Sequence, residues 1–361
     1  MKIATLFLSI LLPLASAFPL FEPSYHPIVV WHGLGDSAYA EGLQEFAKEL
    51  REAFPGIYVH IVALGQDATS DQRAGFFGNV NDQVSTVCTD LSAVPELANG
   101  FDAVGFSQGG QFLRAYVERC NAPQVRNLIT FGSQHQGISD LPACKPGDFF
   151  CRLAEGALRG GIYTDYAQSN LVTAQYYRDS KSQETYQRYL EANHFLTDIN
   201  NEKKEGRNAT YKANLEKLDN FVMLMFNKDT TVEPKQSSWF ATYPVPSKDK
   251  QGAAQDKLEV LPLRQSEIYL EDRIGLKALD KRGAIKMELC KGVHMQIDAA
   301  CQMKVFGRYA GIAPPSKVIP ASVRHAWARA IHATMTTLRS KEILRWIRMQ
   351  FRLLGSALGW S

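Results

Sequence analysis

A short apolar run at 101–104 leads into Gly105-Phe106-Ser107-Gln108-Gly109, and from 111 to 120 apolar residues recur at helical spacing. No other stretch constrains the fold as tightly. Strand, Gly-x-Ser-x-Gly and helix in that order make a nucleophile elbow, which holds a serine above the edge of a sheet. Glycines two before and two after Ser107 let a sharp turn form without side-chain clash. The following helix aims the positive end of its dipole at the hydroxyl. A glycine-rich turn with an idle serine uses the same five residues, and the flanking strand and helix are what favour the elbow.

Around this segment, short apolar runs alternate with helical patterns, which predicts an α/β chain with a mostly parallel sheet wrapped by helices. Strands are expected at 27–32, 57–62, 101–104, 125–132, 220–226 and 284–289, and helices at 41–54, 81–97 and after Ser107. The run 220–226 is continuously apolar, as a strand buried on both faces should be. Between about 139 and 218 the alternation stops, and helical patterns take over with seven of the chain's 14 tyrosines. Those aromatics fit either a cap over the active-site end of the strands or the core of an ordinary helical subdomain. Residues 247–257 read as a polar loop, and three prolines between 311 and 320 read as a linker out of the domain.

The chain has 361 residues, enough for one large domain or two ordinary ones. Its net charge of +3 conceals an asymmetry: residues 314–361 carry eight Lys/Arg against Glu342 alone, and 32 basic and 36 acidic residues precede them. The basic balance belongs to this tail, so no nucleic-acid partner is expected. In the tail Ile343, Ile347, Phe351 and Leu354 share one helical face with Arg345, Arg348 and Arg352 opposite, a pattern suited to peripheral contact with an anionic membrane. A disordered extension or a mispredicted exon boundary is the simpler explanation of the tail. At the other end, Lys2, the apolar run 3–14 and Ala15-Ser16-Ala17 form a secretory signal at 1–17, with cleavage before Phe18. The run is too short to span a bilayer.

An oxidising compartment makes disulfides the expected use of six cysteines. Cys144 and Cys151 bracket a short loop, Cys88 and Cys120 lie late in two successive helical patterns, and Cys290 and Cys301 are left over. Six cysteines allow 15 pairings, and proximity decides none. With no CxxC or HExxH, no metal or other cofactor is expected. Asn208-Ala209-Thr210 is a glycosylation sequon in a polar stretch.

Serine needs a base to take its proton, and the base needs an acid to fix its tautomer. Behind an elbow of this kind the chain order is serine, acid, histidine. Asp229 comes three residues after the strand that ends at Phe226, with Glu233 the rival further out, beside Pro234. His294 comes five residues after Leu289, whereas His26, His32, His60, His135 and His194 precede Asp229, and His325 and His332 belong to the tail. The triad expected is therefore Ser107, Asp229 and His294. An oxyanion hole needs two backbone N–H donors. Gln108, after the nucleophile, supplies one, and Leu34, in the bend His32-Gly33-Leu34-Gly35, is expected to supply the other. His135, at the end of another core strand, reads as structural or pocket-lining rather than catalytic.

These residues carry a resemblance. The segments 31–37 (WHGLGDS), 105–114 (GFSQGGQFLR) and 132–137 (GSQHQG), then 229–234 with Trp239-Phe240, and 292–296, resemble the lysosomal palmitoyl-protein thioesterases, in order from about 27 to 311. The resemblance implies an α/β-hydrolase fold with an inserted helical domain. The core would comprise 18–138 and 219–313, the insertion 139–218 would hold a lipid groove, and 314–361 would be a basic extension. It implies hydrolysis of fatty acyl thioesters on S-palmitoylated proteins or peptides, in a lysosomal or vacuolar lumen or outside the cell. Ser107, Asp229 and His294 fall on the family's triad positions and Leu34 and Gln108 on its oxyanion positions. It also implies the pairs Cys88–Cys120 and Cys144–Cys151. The chain departs from the family at Val293, where an acidic residue is usual, in lacking a sequon at 227–229, and in having Cys290 and Cys301. The same triad would serve a secreted or lumenal lipase or carboxylesterase acting on oxygen esters. An inactive acyl-binding protein is disfavoured by the intact serine, acid and histidine.

Overall fold

The computed structural model describes residues 25–144, 146–246 and 259–311. The signal at 1–17, the polar loop at 247–257 and the basic extension at 314–361 lie outside the described residues. Six strands form one sheet: β1 (Ile28–Trp31), β2 (Val59–Ile61), β3 (Phe101–Phe106), β4 (Val125–Phe131), β5 (Asn220–Phe226) and β6 (Ile285–Cys290). They pair in parallel in the order β2-β1-β3-β4-β5-β6. Each falls within the apolar run expected for it, or within two residues of it.

The strands read as continuous apolar runs because both faces are covered. Val29, Trp31, Ala103, Leu128, Phe221 and Met223 point to one side. Their neighbours Ile28, Val30, Val104, Ile129, Val222 and Leu224 point to the other. Four helices follow the early strands: α1 (Glu41–Ala53), α2 (Ala68–Ala74), α3 (Val80–Ser92) and α4 (Gln108–Arg119). Six lie between β4 and β5: α5 (Phe149–Ala157), α6 (Asp165–Asn170), α7 (Val172–Gln175), α8 (Gln183–Ala192), α9 (Leu196–Ile199) and α10 (Ala209–Leu215). Then α11 (Glu267–Leu270) and α12 (Leu276–Lys281) precede β6, and α13 (Ala299–Tyr309) follows it. α1 buries Leu43, Ala47 and Leu50, one helical face, against the second side of the sheet together with Val305 and Phe306 of α13. α3 buries Val80, Val84, Val87 and Leu91 on the first side. A parallel sheet covered on both faces, with an elbow between β3 and α4, is the α/β-hydrolase fold.

Two boundaries differ from expectation. The helix expected at 81–97 stops at Ser92, and Pro95–Leu97 forms a separate single turn. Pro95 has no N–H to continue the ladder and disfavours helical geometry just before it. α4 begins at Gln108, directly after Ser107, so two glycines sit in its first turn despite their poor helix propensity. Tertiary contact decides there, as described below.

α4 is buried along nearly its whole length, so its polar side chains must be satisfied inside the protein. Arg114, fully buried, donates to Glu118 (2.9 Å), to the carbonyls of Ile199 (3.1 Å) and His135 (3.0 Å), and to Asn200 Oδ1 (2.9 Å). That network ties the helices between β4 and β5 to the sheet. The tyrosines of this helical region mostly join the core on the first side of the sheet: Tyr176, Tyr177 and Tyr189 are buried within it, Tyr163 and Tyr186 pack against it, Tyr211 is also buried, and Tyr166 is exposed. All six cysteines pair, as Cys88–Cys120, Cys144–Cys151 and Cys290–Cys301. Asn208 is exposed and caps α10, its side chain accepting from the Thr210 N–H.

Candidate active site

Ser107 sits between β3 and α4 with φ 52° and ψ −122°, a left-handed conformation rare for a residue with a side chain. Holding such a residue costs on the order of 1–3 kcal/mol, which the surrounding packing must offset. The backbone is pinned by the Ser107 N–H donating to the Phe131 carbonyl at 2.7 Å. The neighbouring glycines serve close approach rather than left-handed geometry. A Cβ on Gly105 would overlap the Gly110 Cα, and one on Gly109 would overlap the carbonyl oxygens of Trp31 and His32. The elbow is thus a place where three backbone segments meet without side chains between them.

The structure brings the other two residues of the expected triad to this serine. His294, in the loop after β6, has Nε2 3.0 Å from Ser107 Oγ and Nδ1 2.7 Å from Asp229 Oδ2. Asp229, whose side chain is buried, uses Oδ1 to accept from the N–H groups of Thr231 (2.8 Å) and Val232 (3.1 Å). Those two donors leave Oδ2 for the imidazole. The ring is further confined by Phe226, edge-on at 6.0 Å, and by Gly132, where a Cβ would come 3.1 Å from His294 Cε1. Glu233 is directed elsewhere: its carboxylate accepts from Tyr243 Oη and its carbonyl from Ser139.

The expected oxyanion donors lie on either side of Ser107. Gln108 is the first residue of α4, so its N–H has no partner within the helix. Gly33 packs against the serine, an added Cβ lying 3.1 Å from Ser107 Cβ. The Gly33 carbonyl accepts from His32 Nδ1 (3.0 Å) and from the Asp36 N–H (3.3 Å). Across a trans peptide the Leu34 N–H points the opposite way, and it makes no hydrogen bond to any described residue.

Sequence reasoning missed what holds these donors. α2 and the turn after it brace both sides: Gln72 Nε2 donates to the Gly35 carbonyl (2.9 Å), and Gln108 Nε2 donates to the Gly75 carbonyl (3.1 Å). Phe76 lies 3.4 Å from where a Gly35 Cβ would stand. Asp71, fully buried in α2, faces His32 at 3.1 Å, an ion pair rather than an aligned hydrogen bond. Burial opposes charge on His32, but Asp71 and the Gly33 carbonyl outweigh it and raise its pKa. Burial likewise opposes charge on Asp71, yet His32 and the N–H groups of Ala38 and Leu64, both at 2.7 Å, hold its pKa below the usual carboxylate range. No local motif marks α2 and its turn, because the partners lie more than 30 residues away: Gln72 donates to the Gly35 carbonyl, and the Gly75 carbonyl accepts from the Gln108 side chain.

His135 does not reach the serine. It is fully buried, stacks on Phe240 at 4.7 Å, contacts Thr130 Oγ1 at 3.0 Å, and is kept neutral by burial and by Arg114. Among the described residues no group of His, Cys, Asp and Glu could hold a metal ion.

The family model described as palmitoyl protein thioesterase matches residues 27–294. Among curated proteins, palmitoyl-protein thioesterase 1 of Caenorhabditis elegans is 41% identical over 272 residues, which cover 75% of this chain and 87% of that protein. Palmitoyl-protein thioesterase 3 of Dictyostelium discoideum is 34% identical over 275 residues, covering 76% and 86%. Lysosomal thioesterase PPT2 of Homo sapiens is 27% identical over 286 residues, covering 76% and 83%.

Proposed function

This chain belongs to the palmitoyl protein thioesterase family, and from that premise we propose that it removes long-chain fatty acyl groups from cysteine thioesters of S-acylated proteins or peptides, with Ser107 as nucleophile, His294 as base and Asp229 as the acid that orients it. The observation that carries this reading is the unbroken line from Ser107 Oγ through His294 to Asp229, at 3.0 and 2.7 Å. Ser107 Oγ attacks the thioester carbonyl carbon while His294 Nε2 takes its proton. The oxyanion is received by the N–H groups of Leu34 and Gln108. Collapse breaks the carbon–sulfur bond, and the departing cysteine thiolate takes the proton from His294. Water then attacks the acyl-serine, giving its proton to His294, and the fatty acid leaves as Ser107 recovers the hydrogen.

The insertion 139–218 is proposed to guide the acyl chain. Supporting this, α5 lies beside the Leu34 loop, with Phe150 packed on Phe76 at 6.5 Å and Phe149 and Leu153 exposed next to it. The basic extension 314–361 is proposed to rest on an anionic membrane surface, on the strength of its apolar and arginine faces. A lysosomal or other lumenal setting is proposed from the leader-like residues 1–17 and from the similarity to the human lysosomal thioesterase PPT2. No helix among the described residues is long and apolar enough to cross a membrane.

The test is the specificity constant for matched thioester and oxyester series from C4 to C16, with Ser107→Ala as control. Each methylene moved from water to an apolar wall contributes ~0.8 kcal/mol, so each added carbon pair should gain about tenfold until the chain is accommodated. Thioesters should lead and the rise should continue to C14–C16. A maximum at C4 with oxyesters ahead would assign the site to short-chain carboxylesterase chemistry. A fluorophosphonate should label wild type and spare Ser107→Ala.

A further inference from the structure

Tyr176 ends α7 in the helical region, and only 2% of its surface is exposed. Its hydroxyl nevertheless leaves that region and donates to Gln108 Oε1 at 3.2 Å. At the other end of the same amide, Gln108 Nε2 donates to the Gly75 carbonyl at 3.1 Å. A carbonyl accepts only and a tyrosine hydroxyl is here the donor, so the amide has one orientation that satisfies both partners. Gln108 is thereby gripped from two directions, by the turn after α2 and by the helical region. The tyrosine is itself fixed: its carbonyl accepts from the Ile138 N–H at 3.0 Å and crowds Gly137, where a Cβ would meet it.

The grip falls on a sensitive point. Gln108 follows Ser107, whose φ of 52° and ψ of −122° would relax if the peptide between the two could turn. The N–H of that peptide is the donor assigned above to the oxyanion. Anchoring the Gln108 side chain resists the turn and keeps the amide out of the space over Ser107.

We propose that Tyr176 is a positioning residue for the oxyanion hole, through which the helical region holds the Gln108 N–H in line. This rests on the proposed serine-thioesterase reading, in which Gln108 is an oxyanion donor. Tyr176→Phe removes only the hydroxyl oxygen. Its kcat should fall about tenfold, less than the ~10²-fold or more expected for outright loss of an oxyanion donor. The fall should be the same on C4 and C16 thioesters, with KM unchanged and the thermal midpoint near that of wild type. Gln108→Met, which keeps length but has no amide to grip, should show the same fall. The double variant should lose no more than Gln108→Met alone, because the two changes break one linkage. Wild-type kcat in either single variant, or losses that multiply in the double variant, would overturn the proposal. So would a loss confined to C16 and carried by KM, which would make Tyr176 a wall for the acyl chain. Failure of the underlying reading looks different: fluorophosphonate would still label Ser107→Ala, or wild type would not turn over thioesters, and the proposal would fall with it.

Discussion

Asp229→Asn tests the triad more sharply than removal of the serine, because the geometry dictates which way the new amide must face. In the native site Oδ1 accepts from the N–H groups of Thr231 and Val232, at 2.8 and 3.1 Å. An asparagine must keep its oxygen there, since an amide nitrogen would face two donors with nothing to accept them. Its NH₂ group then occupies the position of Oδ2, 2.7 Å from His294 Nδ1. An NH₂ can only donate, so Nδ1 must be the unprotonated nitrogen and Nε2 must carry the hydrogen. The imidazole would then offer Ser107 a proton instead of taking one. A wrong-tautomer change of this kind costs about 10⁴-fold in turnover in a comparable triad, or about 5 kcal/mol at 1.36 kcal/mol per tenfold. The assay is kcat on a C16 thioester, beside the rate of fluorophosphonate labelling, with Glu233→Gln as the control. Both rates should collapse in Asp229→Asn while thermal stability changes little, and Glu233→Gln should stay within tenfold of wild type. Near-normal turnover in Asp229→Asn, or the large loss in Glu233→Gln, would refute the assignment of the acid.

Two further outcomes are expected. His32 has a raised pKa, so the stability it adds is complete below its unfolded pKa of about 6.5 and is lost as pH rises through the higher folded value; Asp71 has a lowered pKa, so its share is complete above about 3.9 and is lost as pH falls through the lower folded value. The stability of wild type over His32→Gln, read by urea denaturation, should therefore be greatest between about pH 4 and pH 6.5 and shrink as the medium turns alkaline; a difference that grows above neutrality would contradict the charged pair. Removal of residues 314–361 should abolish salt-sensitive sedimentation with phosphatidylserine vesicles and leave turnover of a water-soluble thioester intact, and equal sedimentation of both forms would dismiss the tail as a membrane contact.

The sheet was legible because strands buried on both faces leave a strong local signal. The run 220–226 is apolar at nearly every position, since Phe221 and Met223 face one layer while Val222 and Leu224 face the other. Ser107, Asp229 and His294 were legible for a related reason: each sits just beyond a strand, and a parallel sheet gathers the ends of its strands along one edge. Helix boundaries were less readable. The glycines at 109 and 110 argue against a helix locally, yet α4 runs through them, and glycine stands at 109 because the backbone of Trp31 and His32 leaves no room for a Cβ there.

What the sequence concealed is the support of the proposed oxyanion hole, and the reason lies in the chemistry of the support. His32, Gln72 and Gln108 act through backbone carbonyls, which every residue possesses, so their partners carry no side-chain signature. Gly75 can accept from Gln108 only because α2 places it there, and α2 is a helix of seven residues with little amphipathic pattern. Its position is set by Asp71, which gathers the N–H groups of Ala38, Leu64 and Gly65 around one buried carboxylate. Removing that carboxylate would leave three backbone donors, one buried and two partly buried, without their acceptor, so α2 is fixed by the need to satisfy groups outside itself. A catalytic serine and histidine must be particular residue types and therefore show in a sequence. The groups that hold the proposed oxyanion donors need only be in the right place, and place is what the fold supplies.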